Sequence, residues 1–270
     1  MSFVITAGAA EYFSINFEAA SDTTGWTSEY ASGNMSIATD TDSKINKYFK
    51  FANTNGSGTR NAYYTFGADA QTTEDNKSVI EFDFYMTNTG NENINQLILL
   101  DSAIGKPKGN ANYSGNYIFS IHTAKMNTDS LIINSIDGSS ASYATKEWSN
   151  KSGWTHAKAI MDFAEHSSTI TLSSPDGETI YFDNKVPMGT DGTAIGKLLI
   201  CEARKSTATF GIDNIVVRAY DSALDAGSAY YTVTYDVKGN TTEEAVKGQC
   251  KPVKYSRLNK IMAISLRAGR

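Results

Sequence analysis

Apolar residues recur at alternate positions over short stretches that Gly, Asn, Asp and Ser separate. The clear stretches are EYFSINFEA 11–19, KYFKFA 47–52, RNAYYTF 60–66, SVIEFDFYMT 78–87, NQLILLDS 95–102 and NYIFSIHTA 116–124. SLIINSID 130–137, THAKAIMDF 155–163, STITLSS 168–174, ETIYFDN 178–184, GKLLICEARK 196–205 and FGIDNIVVRAY 210–220 complete the series. A period of two predicts strands, and PDG at 175–177 is the sharpest hairpin turn. No long stretch follows the helical period. About a dozen strands in roughly 210 residues is too many for an immunoglobulin domain of about 100 residues. The pattern predicts an all-β, two-sheet antiparallel jelly-roll sandwich. Without a sequence repeat, an up-and-down barrel or solenoid is the weaker expectation.

Alternation also assigns faces. Ile80, Phe82, Phe84 and Met86 share one side of their strand, and Glu81, Asp83 and Tyr85 share the other. Ala157, Ala159, Met161 and Phe163 are expected in the core, with Trp154, His156 and Lys158 outward. His122 opposes Phe119 and Ile121, and Leu199 and Cys201 oppose Ile200, Glu202 and Arg204. Were these strands to share one concave sheet, its surface would carry Glu81, Asp83, Tyr85, His122, His156, Lys158, Glu202 and Arg204.

Charge narrows the partners. The formal net charge of −5 divides into +5 for residues 229–270 and −10 for the remainder. An acidic body gives nucleic acid no electrostatic footprint, and the basic tail lacks a nucleic-acid-binding motif. No run of 18 apolar residues occurs, so no membrane partner is expected. The opening MSFVITAGAAEYF lacks the basic segment and apolar core of a secretion signal, which does not make the chain cytoplasmic. Of the two cysteines, Cys201 reads as a small buried residue in a strand and Cys250 lies in the tail, so no disulfide between them is expected. Neither has neighbours at zinc spacing.

Four pieces in order, NFEAASDTTGW, SVIEFDFYM, GWTHAKAIMDFAEHSSTITL and FGIDNIVVRAYD, carry a resemblance. The body, 11–221, resembles carbohydrate-binding modules and related concanavalin- and laminin-G-like jelly rolls of secreted bacterial polysaccharide-degrading proteins. That resemblance implies an extracellular or cell-surface location, a polysaccharide or oligosaccharide ligand, and further domains linked covalently in a larger protein. It also implies a structural Ca²⁺ held by a Glu after the first strand and an Asp in the last. The matching residues are Glu18 and Asp213, with Asp22 or Asp40 as further donors. Calcium takes six to eight oxygen ligands, so backbone carbonyls would have to complete the shell. The alternative is that Glu18 begins a solvated turn and Asp213 caps an irregular strand.

Three functions remain open. The first is non-catalytic polysaccharide binding, in which Tyr85 and Trp148 stack on sugar rings while His122, His156, Lys158, Glu202 and Arg204 form a polar surround. Trp148 is expected to be exposed, because Lys, Glu, Ser and Asn surround it; Trp26 is expected in the core. Trp154 and Tyr113 are further aromatic candidates, and Arg60 would suit an acidic sugar. The second is a glycoside hydrolase or polysaccharide lyase using Glu81, Asp83, Tyr85 and His122. Paired carboxylates suit glycosidases, but Tyr85 stands where an E-x-D-x-E arrangement has its third acid. The third is a surface adhesin or structural spacer. No phosphate loop, nucleophile elbow or catalytic-metal motif is present.

SALDAGSA, 222–229, reads as a linker. Residues 230–270 form a basic tail or truncated small β-domain. Their first part, YYTVTYDVKGNTTEEAVKGQC, resembles the opening of a β-repeat of bacterial surface proteins.

Overall fold

The computed structural model describes residues 10–21, 23–28, 34–40, 47–52, 60–71, 76–87, 95–105, 107, 117–123, 130–133, 143–145, 148, 153–189, 192–202, 209–225, 230–237, 240–247 and 265–268. The chain divides into two compact units, Ala10–Ala219 and a second that contains the segment from Tyr220 onward.

The first unit holds fifteen described strands. They open with β1 (Glu11–Ile15), β2 (Trp26–Thr27), β3 (Met35–Thr39), β4 (Lys47–Ala52) and β5 (Arg60–Thr65). Next come β6 (Lys77–Thr87), β7 (Asn95–Asp101), β8 (Tyr117–Thr123), β9 (Leu131–Ile133) and β10 (Tyr143–Ala144). The series ends with β11 (Thr155–Asp162), β12 (Ser167–Ser173), β13 (Ile180–Pro187), β14 (Ile195–Glu202) and β15 (Thr209–Ala219). An eight-stranded sheet runs β13–β12–β11–β6–β15–β4–β3, with β1 also paired to β15. A seven-stranded sheet runs β10–β9–β8–β7–β14–β5–β2. The architecture is an all-β, two-sheet antiparallel jelly roll.

The period of two explains how the sheets pack. Phe82, Phe84, Ala157, Ala159, Ile170 and Phe49 of one sheet meet Leu97, Leu99, Phe119, Ile121, Leu198 and Ile200 of the other in one buried cluster. Trp26 joins them, stacked on Phe49 with ring centroids 3.7 Å apart. The seven-stranded sheet is also covered on its far side. There Tyr63, Ile98, Leu100, Leu199 and Cys201 form a second buried cluster, against which Ile104 and Tyr117 pack. This explains why NQLILLD is apolar on both faces: all seven residues of β7 are buried.

Turn chemistry agrees with the hairpin expected at 175–177. Gly177 has φ 72, its N–H donates to Ser174 O at 2.8 Å, and Asp176 Oδ1 accepts the Glu178 N–H at 2.9 Å. The first strand ends earlier than expected, at Ile15 rather than 19. Phe17 takes φ 56 and its carbonyl accepts the Ala20 N–H, while its ring enters the core. The segment expected as a linker begins with a short helix, Ser222–Asp225. In the second unit β16 (Tyr230–Val237) pairs with both β17 (Asn240–Lys247) and β18 (Ser265–Ala268).

Candidate functional site

The outer face of the eight-stranded sheet gathers the polar residues of β6 and β11. Register fixes the rows: His156 pairs with Asp83 and Lys158 with Glu81, while Asp83 and Tyr85 pair onward to Asp213 and Gly211. Because the neighbouring positions Phe82, Phe84, Ala157 and Ala159 are in the core, these side chains must point the other way.

At one end of this face lies an aromatic group. Tyr85 and Trp154 meet edge to face with centroids 4.9 Å apart, and Tyr48 packs against both at 5.7 and 5.1 Å. Such T-shaped pairs suit the ring quadrupoles. Gly211 makes the arrangement possible, since a Cβ there would lie 2.1 Å from Tyr85 Cε1 and 3.0 Å from Trp154 Cη2. Trp154 Nε1 donates to Asp40 Oδ2 at 2.9 Å, and the Tyr48 and Tyr85 hydroxyls lie 3.2 Å apart. Burial first, and then the Tyr48 hydroxyl, push the Tyr85 phenol well above its ordinary pKa.

Beside the aromatics lies an ionic cluster. His156 Nδ1 is 2.8 Å from Asp83 Oδ1, and Asn214 Nδ2 donates to Asp83 Oδ2 at 2.8 Å. Arg218 Nη2 donates to Glu81 Oε1 at 2.7 Å, and His156 Nε2 lies 3.9 Å from Glu81 Oε2. Burial works against the charged imidazole. The Asp83 hydrogen bond and charge, followed by the Glu81 charge, outweigh it despite opposition from Lys158, so the His156 pKa is raised. Asn214 reaches Asp83 because β15 bulges between Asp213 and Val216, with Asn214 at φ 51.

The structure thus brings together Glu81, Asp83, Tyr85, Trp154, His156 and Lys158, with Asp213 paired to Asp83, and places His122 and Trp148 elsewhere. His122 belongs to the opposite sheet, where it pairs with Gln96 and Ile132 and is fully buried. The cover on that sheet's outer face makes it an interior residue rather than a surface one. Trp148 is 2% exposed in the main core, with Nε1 donating to Thr155 Oγ1 at 3.1 Å. Its polar neighbours in sequence were misleading: the indole finds its partner at the start of β11. Glu202 closes β14 opposite Asn95 and Arg60, with only the backbone described at Glu202 and Arg60. Arg204, Tyr113, Asp22 and Cys250 lie outside the described residues. Tyr48, Gly211, Asn214 and Arg218 were missed. Arg218 had a readable signal, since it alternates with the apolar Val217 and Ala219, whereas Asn214 depends on a bulge that no local pattern announces.

For calcium, Asp213 is buried, 1% exposed, and Glu18 Oε1 accepts the Lys47 N–H at 3.2 Å. Oxygen donors suit the ion, but Lys47 Nζ donates to Ala20 O at 3.4 Å in the same turn as Glu18. Among the described residues no group of three or more His, Cys, Asp or Glu forms a metal cluster.

Solved structures share this fold at low identity. Lectin II from Ulex europaeus is 12% identical, with a TM-score of 0.52 over 77% of this chain and 99% of that one. A carbohydrate esterase from Shiga toxin-encoding bacteriophage phi24B gives 17% identity and a TM-score of 0.49 over 79% of this chain and 100% of that one. A GH131 β-glucanase catalytic domain from Podospora anserina gives 12% identity and 0.48 over 73% and 84%. The lectin likeness speaks to the fold alone, and the other two carry no argument about this chain. No protein-family model and no curated protein matches the sequence.

Proposed function

We propose that the unit Ala10–Ala219 binds an extracellular polysaccharide without cleaving it, on the outer face of the eight-stranded sheet. The observation that carries this reading is the side-by-side placement of the half-buried Tyr85–Trp154 pair and the Asp83–His156–Glu81 cluster. An aromatic surface stacks on the apolar face of a sugar ring while fixed polar groups meet its hydroxyls. Tyr85 keeps the contact role expected of it, and Trp154 takes the one expected of Trp148. Lys158 completes the surround; an extracellular location and linked domains belong to the same proposal.

Catalysis by Glu81 and Asp83 is the weaker reading. Arg218 holds one carboxylate, while His156 and Asn214 hold the other. Both carboxylates are thereby engaged by side chains of the protein itself. His122, expected beside Glu81, Asp83 and Tyr85 in a catalytic role, lies on the other sheet. A panel of plant and bacterial polysaccharides, assayed together for retention and for reducing-end or unsaturated-sugar release, tests the proposal. Retention without product is expected. Turnover that disappears in Glu81→Gln or Asp83→Asn would replace binding with catalysis, and neither retention nor turnover would favour an adhesin or spacer.

A further inference from the structure

We infer that His156 Nε2 and Glu81 Oε2 form a donor–acceptor pair that recognises one hydroxyl group of an uncharged sugar. This rests on the proposed glycan-binding reading and adds the chemical class of ligand and the atoms that read it.

The two atoms lie 3.9 Å apart, too far for a direct hydrogen bond. A hydroxyl oxygen set about 2 Å to one side of the line joining them is about 2.8 Å from each, in the range of a normal hydrogen bond. Both side chains are part exposed, at 30% and 27%. Both are also held from behind. Asp83 Oδ1 fixes His156 through Nδ1 at 2.8 Å, and Arg218 fixes Glu81 through Oε1 at 2.7 Å. Rigid partners lose little freedom when a ligand arrives.

The chemistry selects the ligand. A hydroxyl both donates and accepts, so it accepts from Nε2–H of the imidazolium and donates to the carboxylate. An anionic sugar group has no proton for Glu81. It would also meet Asp83 and Glu81, whose charges Arg218 and His156 already balance. The clamp lies on the same strand faces as Tyr85 and Trp154, one or two strand repeats of about 6.6–6.8 Å away. A sugar stacked on the aromatics therefore brings its own hydroxyls, or those of the next unit, to the pair.

Protonation decides whether the pair is complementary. When His156 is neutral, Asp83 retains the Nδ1 proton, Nε2 becomes an acceptor, and a hydroxyl faces two acceptors. The charged or titratable groups around the ring are Asp83 and Glu81 from β6, Lys158 from β11 itself and, on β15, Asp213 beside Asp83 and Arg218 on Glu81. From β12 the paired residues are Ser173 and Thr171, and Thr171 donates to Asp183 of β13. The raised His156 pKa extends the charged form toward neutral pH.

The test uses the full chain on immobilised β-glucan, xyloglucan, galactan and mannan, with polygalacturonate and dextran sulfate as the acidic arms. Wild type should be retained by a neutral polymer and lose affinity about tenfold between pH 5.5 and 9, the scale of one charge-assisted hydrogen bond. Glu81→Gln should weaken retention at pH 5.5, and His156→Gln should remove the pH dependence, with thermal melts confirming that each variant is folded. Independently of any variant, adding the retained polymer should move the NMR titration of the His156 ring to higher pH, since binding and protonation are linked. Retention on neutral polymers with a flat pH profile and an unmoved His156 titration would overturn this inference while leaving glycan binding intact. Retention on the acidic polymers alone would do the same. Retention on none would remove the glycan reading itself.

Discussion

Single residues here take their roles from what lies behind them. Trp148 and Trp154 stand six positions apart in one polar stretch, yet one is interior and the other borders the outer face. Trp148 donates to Thr155 Oγ1 inside the core, and Trp154 donates to Asp40 at its edge. Trp148→Ala should therefore cost about 3–5 kcal/mol of stability, the usual range for removing a buried Trp. Denaturant unfolding measures this, and glycan retention by the folded protein should stay unchanged. Lost retention with unaltered stability would return Trp148 to the role of a sugar platform. The same contrast holds for histidine: His122 is enclosed, while His156 sits between two carboxylates with part of its ring in solvent.

At the scale of elements, alternation was the readable signal. The inward faces of β6 and β11 follow from SVIEFDFYM and THAKAIMDF because one residue in two must be buried when a sheet packs on one side. The short β2 and β10 have two residues each and no period to read. Alternation also failed for β7, where both faces are buried, and it could not say which strands share a sheet. That depends on long-range order: β15 inserts beside β6, and β14 beside β7, from the far end of the chain. Hence His122 and Tyr85 looked like neighbours and are not, whereas Glu81, Asp83 and His156 converge through β6–β11 register. The proposed calcium at Glu18 and Asp213 would tie the turn after β1 to β15. Calcium should raise the thermal midpoint and a chelator should lower it, as for any ligand of the folded state. No shift, with no metal by elemental analysis, leaves Lys47 as the cation of that turn.

For the whole molecule, the acidic balance of the body agrees with a neutral ligand better than with a polyanion, since the protein's field would repel the latter. The basic excess lies in residues 229–270, which belong to the second compact unit. On the proposed reading the Tyr85–Trp154 face contacts glycan. Trp26 and Trp148 are buried, so among the three tryptophans Trp154 is the one a ligand on that face would touch. Tryptophan emission, titrated with the polysaccharide that the panel retains, should shift in wild type. The shift should vanish in Trp154→Phe, whose thermal midpoint should remain close to that of wild type. A shift that persists unchanged in Trp154→Phe, or strong retention with no change in wild-type emission, would contradict glycan binding on this face.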